Sequence, residues 1–340
     1  MLGAVLIAVA LAYAFTFTNG FQDAGAMAAT FIASRSATPR RGILFVSTAG
    51  LLGALLGGSA VAFTLAGLLT LEPAREIPVL LVALVTATCW NVITWKYGIP
   101  SSSTYALVGG LVGAAVAAGG PGSVQWGIGS LLLPPHELAG FMKILVFLVL
   151  SVAIGFLGAY LLHAALGLLL RNADRDVNRD LVRANWAAAG LMAFSNGAND
   201  SQKLMGVLAL IVLGTGLSSS LVISPWIRGS VAIFLTLGTL AGGWRVMTTL
   251  GRRVFRIGPA HSFSSQVSSG ISILVSTLAG APISSSYTIS SSVMGVGAAE
   301  NPRKVQWSVG KEIILAAVLT LPGTMLLAAS LYSVAEWFMV

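Results

Sequence analysis

Apolar runs recur along the chain at residues 3–34, 42–70, 78–95, 138–170, 184–213, 220–243, 267–298 and 309–335. Each is long enough to cross a hydrocarbon layer ~30 Å thick, which takes about 20 helical residues. Backbone amides and carbonyls inside lipid must be paired within the segment that carries them, so such runs are expected to fold as helices. Only 9% of the 340 residues are charged and 56% are hydrophobic, against about 25% charged in a soluble domain. These runs predict an all-α polytopic membrane protein. The N-terminus lacks a basic flank and its apolar run continues directly into polar motif residues, so the first run is expected to stay in the mature chain.

The net charge of +8 is spread in a way that argues for topology rather than for nucleic acid. Arg35, Arg40 and Arg41 follow the first run, Arg171, Arg175, Arg179 and Arg183 lie in a central linker, and Arg245, Arg252, Arg253 and Arg256 follow the run at 220–243. The positive-inside rule makes these three loops cytoplasmic and puts the uncharged "GTGLSSSLVISP" at 214–225 on the opposite side, with the N-terminus outside. Contact with anionic membrane lipid suits the same arginines. Cys89 is the sole cysteine, so no intramolecular disulfide or thiolate cluster is available. His136, His163 and His261 share no spacing with one another or with a carboxylate, and no transition-metal site is expected from them.

The chain repeats itself. "TNGFQD" at 18–23 recurs as "SNGAND" at 195–200, and in each half a proline with a hydroxyl cluster follows: "PSSSTYALVGGLVG" at 100–113 aligns without a gap on "PISSSYTISSSVMG" at 282–295. With the loops at 35–41 and 171–183 on one side, segment 3–34 runs inward and segment 184–213 outward, so the repeats are read as inverted. The expected organisation is a first repeat over 1–170, a cytoplasmic linker at 171–183 and a second repeat over 184–340.

Within each repeat, two interruptions are expected. The polar knots at 18–23 and 195–200 predict discontinuous helices, because segment 3–34 is longer than a straight span needs. "GIPSSST" at 98–104 and "GAPISSS" at 280–286 put a glycine and a proline between apolar flanks, with hydroxyls at the start of the next helix, and predict re-entrant helical hairpins whose tips meet near the midplane.

These parts suit the joint binding of a cation and an anion. Asp23 and Asp200 are carboxylates at membrane depth, where ionisable groups are costly and so usually functional. Grouped with the amides Asn19, Gln22, Asn196 and Asn199, they offer oxygen ligands to a monovalent cation, one per half, or accept a proton. The hairpin tips offer amide N–H groups at helix N-termini and rotatable hydroxyls, which suit an oxyanion without any arginine. Lys203 could balance Asp200, help attract the anion, or be a helix-end lysine with no further role. Ser290, Ser291 and Ser292 are as readily explained by close helix packing.

On these residues the sequence resembles the inorganic phosphate transporter (Pit) family of cation-coupled permeases. The resemblance is carried by "NGFQD", "NGANDSQKLMG", "WNVITWKYGIPSSSTYA", "GGWRVMTTLGRRVFRI" and "GAPISSSYTISSSVMGVG", and it runs over nearly the whole chain. It implies a secondary transporter, not an enzyme, that carries inorganic phosphate with sodium or protons across the cell membrane by alternating access, as a homodimer. It further implies that Asp23 and Asp200 coordinate the cation and approach the substrate, that Asn199 and Gln202 line the site, and that Ser102, Ser103, Thr104, Ser284, Ser285 and Ser286 cradle the anion. Gln22, Ala26, Tyr105, Tyr287 and Gln266 depart from the family pattern. Tyrosine at 105 and 287, where histidine is common, removes proton coupling through an imidazole at those places and favours sodium.

Three other readings stand beside this one: a passive anion channel, which would favour a lined pore over paired carboxylates that bind ions, a different substrate, and a different activity. Sulfate or another tetrahedral oxyanion is the nearer, although a carboxylate can accept the hydroxyl of hydrogen phosphate whereas sulfate brings no proton. An intramembrane aspartyl protease is the more distant: two carboxylates could share a proton, but "GFQDAG" and "GANDSQ" lack a Gly-x-Gly-Asp arrangement, and proteolysis gives no reason for duplicated hydroxyl hairpins.

Overall fold

The computed structural model describes residues 2–97, 101–134, 136–174, 176–253 and 257–339. Twelve α-helices are defined among them: α1 (Leu2–Ala33), α2 (Pro39–Leu56), α3 (Ala60–Ala66), α4 (Pro73–Tyr97), α5 (Ser103–Gly119), α6 (Ile128–Leu132), α7 (Gly140–Leu169), α8 (Val177–Gly214), α9 (Pro225–Arg253), α10 (Pro259–Leu278), α11 (Ser285–Glu300) and α12 (Trp307–Met339). The β-pairing among the described residues is one isolated bridge, Leu69 to Val124. Among the described residues, four helices are long and apolar enough to cross a membrane, within α1, α4, α7 and α12. The pair α2 and α3 makes a fifth span if its two parts, bent by 67°, are taken together. The runs at 184–213, 220–243 and 267–298, also expected to span, fall in α8, α9 and α10 with α11, which are not among these; the polar residues of the second motif in α8 and the serine run in α10 lower their hydropathy.

The packing is reciprocal between the two halves. Helix α1 lies on α9 as α8 lies on α2, α4 lies on α1 as α10 lies on α8, and α4 pairs with α5 as α10 pairs with α11. Helix α5 packs on α12 as α11 packs on α7. Five elements of the first half, α1, α2, α4, α5 and α7, therefore have counterparts α8, α9, α10, α11 and α12. One buried apolar cluster takes in Leu107 and Leu111 of α5, Leu80 and Leu84 of α4, and Leu204 and Leu208 of α8.

The structure differs from the sequence reading at the two polar knots. Helix α1 is continuous through 18–23 and α8 through 195–200. The glycine of each Asn-Gly pair serves close approach instead of a break. A Cβ on Gly20 would collide with the backbone of Leu235 in α9, and one on Gly197 would collide with the backbone of Gly50 in α2. Helices in lipid gain little from the hydrophobic effect and associate through close backbone packing, which small residues permit. The extra length of α1 and α8 is simply helix, and the interruptions lie elsewhere: between α2 and α3, and at the connections α4 to α5 and α10 to α11.

The linker also differs. Helix α8 begins at Val177, so the expected surface loop at 171–183 is helical in its second part, with Asp180 and Arg183 paired at 3.3 Å on an exposed face. Of the topology-setting arginines, Arg175 and Arg256 fall outside the described residues, as do Gly98, Ile99 and Pro100 of the first hairpin tip.

Candidate functional site

Both hairpin tips are built alike. Ser102 is the N-cap of α5 and accepts from the Tyr105 amide at 3.4 Å; Ser284 is the N-cap of α11 and accepts from the Tyr287 amide at 3.4 Å. N-cap hydroxyls of this kind satisfy helix-start amides that have no intrahelical partner. The aligned serines thus start two helices alike, and the two tips meet where Tyr105 and Tyr287 stand edge to face, ring centroids 5.6 Å apart.

The next two hydroxyls of each tip divide the work. Ser103 donates to Asn19 Oδ1 in α1, within its own half, and Ser285 donates to Asp200 Oδ2 in α8, likewise within its own half, at 3.2 Å for the latter pair. Ser286 crosses to the other half and donates to Asp23 Oδ1. Thr104, the residue aligned with Ser286, also crosses: its hydroxyl accepts from Lys203 Nζ at 2.6 Å and donates to the Ile283 carbonyl at 2.7 Å. Asp23 and Asp200 stand close enough to interact through their side chains. They are 2% and 0% exposed, so both carboxylates are held at the centre by hydroxyls and one ammonium.

The other expected site residues fall into distinct places. Asn199 clasps the second tip from below, with Nδ2 donating to Thr277 Oγ1 at 2.9 Å and to the Ala281 carbonyl at 3.2 Å, and Oδ1 accepting from the Ile283 amide at 3.3 Å. Gln202 is turned away to the joint between α2 and α3. There Nε2 donates to the Gly57 carbonyl at 2.7 Å and Oε1 accepts from the Val61 amide at 2.9 Å, the backbone groups that the bend frees. Gln22 donates to the Asn91 carbonyl in α4 at 2.7 Å. Asn196 is buried with Oδ1 lacking a protein partner.

Asn91 belongs to the site and was not singled out from the sequence. It is fully buried, its carbonyl holds Gln22, and neither side-chain atom has a protein partner. The readable signal was a lone amide inside the apolar run at 78–95. One turn beyond Asp23, a cleft runs between α1 and α11, lined among others by Ala26, Thr30, Ile289 and Ser290. Ser290 thus faces open space, whereas Ser291 donates to the carbonyls of Thr288 and Val152, and Ser292 to that of Ile289.

Two histidines that share no sequence spacing are brought together. His163 of α7 and His261 of α10 have ring centroids 4.8 Å apart, and His261 Nε2 lies 2.6 Å from Glu300 Oε2. Ligand atoms of the three residues lie within 4.8 Å of one another. His261 Nδ1, however, accepts from the Gly258 amide at 2.8 Å, which in a neutral ring places the proton on Nε2, toward Glu300. That arrangement caps α10 and ties it to the end of α11, and a metal on Nε2 would have to displace it.

A family model described as the phosphate transporter family matches residues 19–183 and 169–328. The chain belongs to the phosphate transporter family. It is 34% identical over 334 residues to a protein of Rhizobium meliloti (strain 1021) described as a "Probable low-affinity inorganic phosphate transporter", covering 97% of this chain and 96% of that one. A Bacillus subtilis (strain 168) protein with the same description is 32% identical over 332 residues, covering 96% of each. A solved structure described as "The sodium-dependent phosphate transporter" superposes with a TM-score of 0.79 at 23% identity, covering 98% of this chain and 99% of that one, and so shares its fold. This family member is a multi-pass membrane protein, and its relatives are named as transporters, not as enzymes. The hydroxyl hairpins and duplicated aspartate motifs fall inside the matched residues.

Proposed function

We propose that the chain is a secondary active transporter that carries inorganic phosphate together with sodium or protons across the cell membrane by alternating access. The observation that carries this reading is the junction of two buried carboxylates with the hydroxyls of two converging helix starts, Ser286 on Asp23 and Ser285 on Asp200. Hydroxyls can donate to a carboxylate in one state and to an oxyanion in another, since the proton rotates about the C–O bond. Helix N-termini attract the anion while the carboxylates attract the cation, so each ion lowers the cost of placing the other at depth.

Reciprocal packing of matched elements supports an inverted-repeat arrangement, with one bundle rocking against the other and the N-terminus outside. Under that topology the cleft beside Ala26 and Thr30 opens toward the cytoplasmic end of α1. A homodimer would leave this site intact, since it is assembled within one chain. The carboxylates favour phosphate over sulfate, because hydrogen phosphate can donate its O–H to Asp23 or Asp200 and sulfate has none to give. Sodium is favoured over protons by the two tyrosines at the tips, which cannot relay protons as imidazoles would.

Purified protein in liposomes should take up labelled phosphate in response to an imposed sodium or proton gradient, and Asp23→Asn or Asp200→Asn should abolish the gradient-driven part. Unchanged uptake in both variants would sink the site assignment. Competition by arsenate but not sulfate is the expected substrate profile, and sulfate uptake at the phosphate rate would transfer the reading to a general oxyanion permease.

A further inference from the structure

We propose that the Lys203 ammonium is a resident cation: it occupies, in the second half, the position that a free monovalent cation takes beside Asp23 in the first. The inference rests on the reading of the site as a cation-coupled anion site and fixes how many free cations that site takes.

Lys203 is 1% exposed and carries three donors, and each is used. Nζ lies 2.5 Å from Asp200 Oδ1, 2.6 Å from Thr104 Oγ1 and 2.8 Å from the Ile283 carbonyl. A carboxylate, a hydroxyl and a backbone carbonyl are the oxygen ligand types that a hard cation takes. An ammonium has no fourth N–H, so none is left to donate to phosphate, and a role in attracting the anion is not served in this arrangement.

The two halves differ in charge at this place. Lys203 stands three residues beyond Asp200, and the residue three beyond Asp23 is Ala26, which supplies no charge. In the first half Ser286 reaches Asp23 directly; in the second its aligned residue Thr104 reaches Asp200 only through the lysine. Unpartnered atoms follow the same division. Asp23 Oδ2 and Asn91 Oδ1, two oxygens that a cation can use, have no protein partner, whereas the side chains of Asp200, Asn199, Gln202 and Lys203 carry none among the unpartnered atoms; the exceptions in α8 are Asn185 Oδ1 and Asn196 Oδ1. Two carboxylates and one ammonium leave a single negative charge, which one further monovalent cation neutralises. A second would put positive charge beside the lysine at low dielectric, where repulsion is strong.

The test counts cations on the purified protein without phosphate. Wild type should bind at most one labelled sodium per chain, and Asp23→Asn should remove it. Lys203→Ala should add one sodium, and its thermal unfolding midpoint should rise with ammonium or methylammonium chloride relative to choline chloride by more than that of wild type, an effect lost in the Lys203→Ala, Asp200→Asn double variant. Two sodium ions on wild type, or a folded Lys203→Ala that neither gains a sodium nor responds to ammonium, would overturn the proposal. Should Lys203→Ala not fold, the wild-type count decides alone. Because none of these readouts uses phosphate, a protein that passes them yet transports no phosphate would sink the proposed substrate and leave the resident cation standing.

Discussion

Tyr105 and Tyr287, 182 positions apart in the chain, meet edge to face with ring centroids 5.6 Å apart and hold the two hairpin tips together. The two residues occupy aligned places in the two copies of the motif, at 100–113 and 282–295. Aromatic pairs of this geometry contribute about 0.5–1.5 kcal/mol beyond the area they bury. Tyr287→Phe keeps the ring and should retain most phosphate uptake, while Tyr287→Ala should lower stability by about 3 kcal/mol and reduce uptake at least tenfold. Uptake in liposomes beside detergent unfolding curves checks both; equal uptake in the two variants would remove the tips' contact from the mechanism.

Gln202 should act on the α2–α3 joint and not on ion binding. Gln202→Leu leaves the Gly57 carbonyl and Val61 amide without their partner, and each buried unsatisfied group costs about 1–3 kcal/mol. The expected outcome is a lower unfolding midpoint with phosphate and sodium affinities within about twofold of wild type, the limit of what a distant packing change usually transmits. A selective loss of sodium or phosphate affinity would return Gln202 to the ligand site.

Asn199 positions the second tip through three hydrogen bonds. Asn199→Ala should raise the KM for phosphate about tenfold or more, since net losses of about 1 kcal/mol per bond add where the tip is loosened. Asn199→Asp keeps the oxygen that accepts from Ile283 and should be milder at the tip while adding charge next to Asp200. The ratio of the two KM values measured at fixed sodium tests the positioning role.

Gly197→Ala should be among the most destabilising small substitutions in the chain. The added methyl would collide with the Gly50 backbone, and overpacking of this kind costs about 1–3 kcal/mol, occasionally more. Gly3→Ala meets no atom nearby and should leave the unfolding midpoint unchanged or slightly raised. Comparable midpoints for the two variants would show that α2 and α8 need not approach so closely.

Much of the site was readable because its chemistry is out of place in lipid. Asp23 and Asp200 stand out against an apolar background, and the N-capping serines announce themselves by following a proline in two aligned copies. What failed was the reading of local irregularity. The Asn-Gly pairs look like helix breaks in one dimension, and only the neighbouring helix shows that Gly20 and Gly197 are needed for close packing. Gln202 lies two residues from Asp200 and so points to a different face of the same helix, a direction that spacing alone could have suggested. Asn91, and the meeting of His163 with His261, depend on which helices are neighbours, which no pattern along the chain reports.

The crossed hydroxyls have a consequence for how the protein is made. Asp23 precedes by 263 positions the residue whose hydroxyl holds it, Ser286. Thr104 likewise waits for Lys203 and Ile283. During insertion the first carboxylate must therefore remain solvated or protonated until most of the polypeptide has left the ribosome, and a truncated first repeat would present it to lipid unmatched.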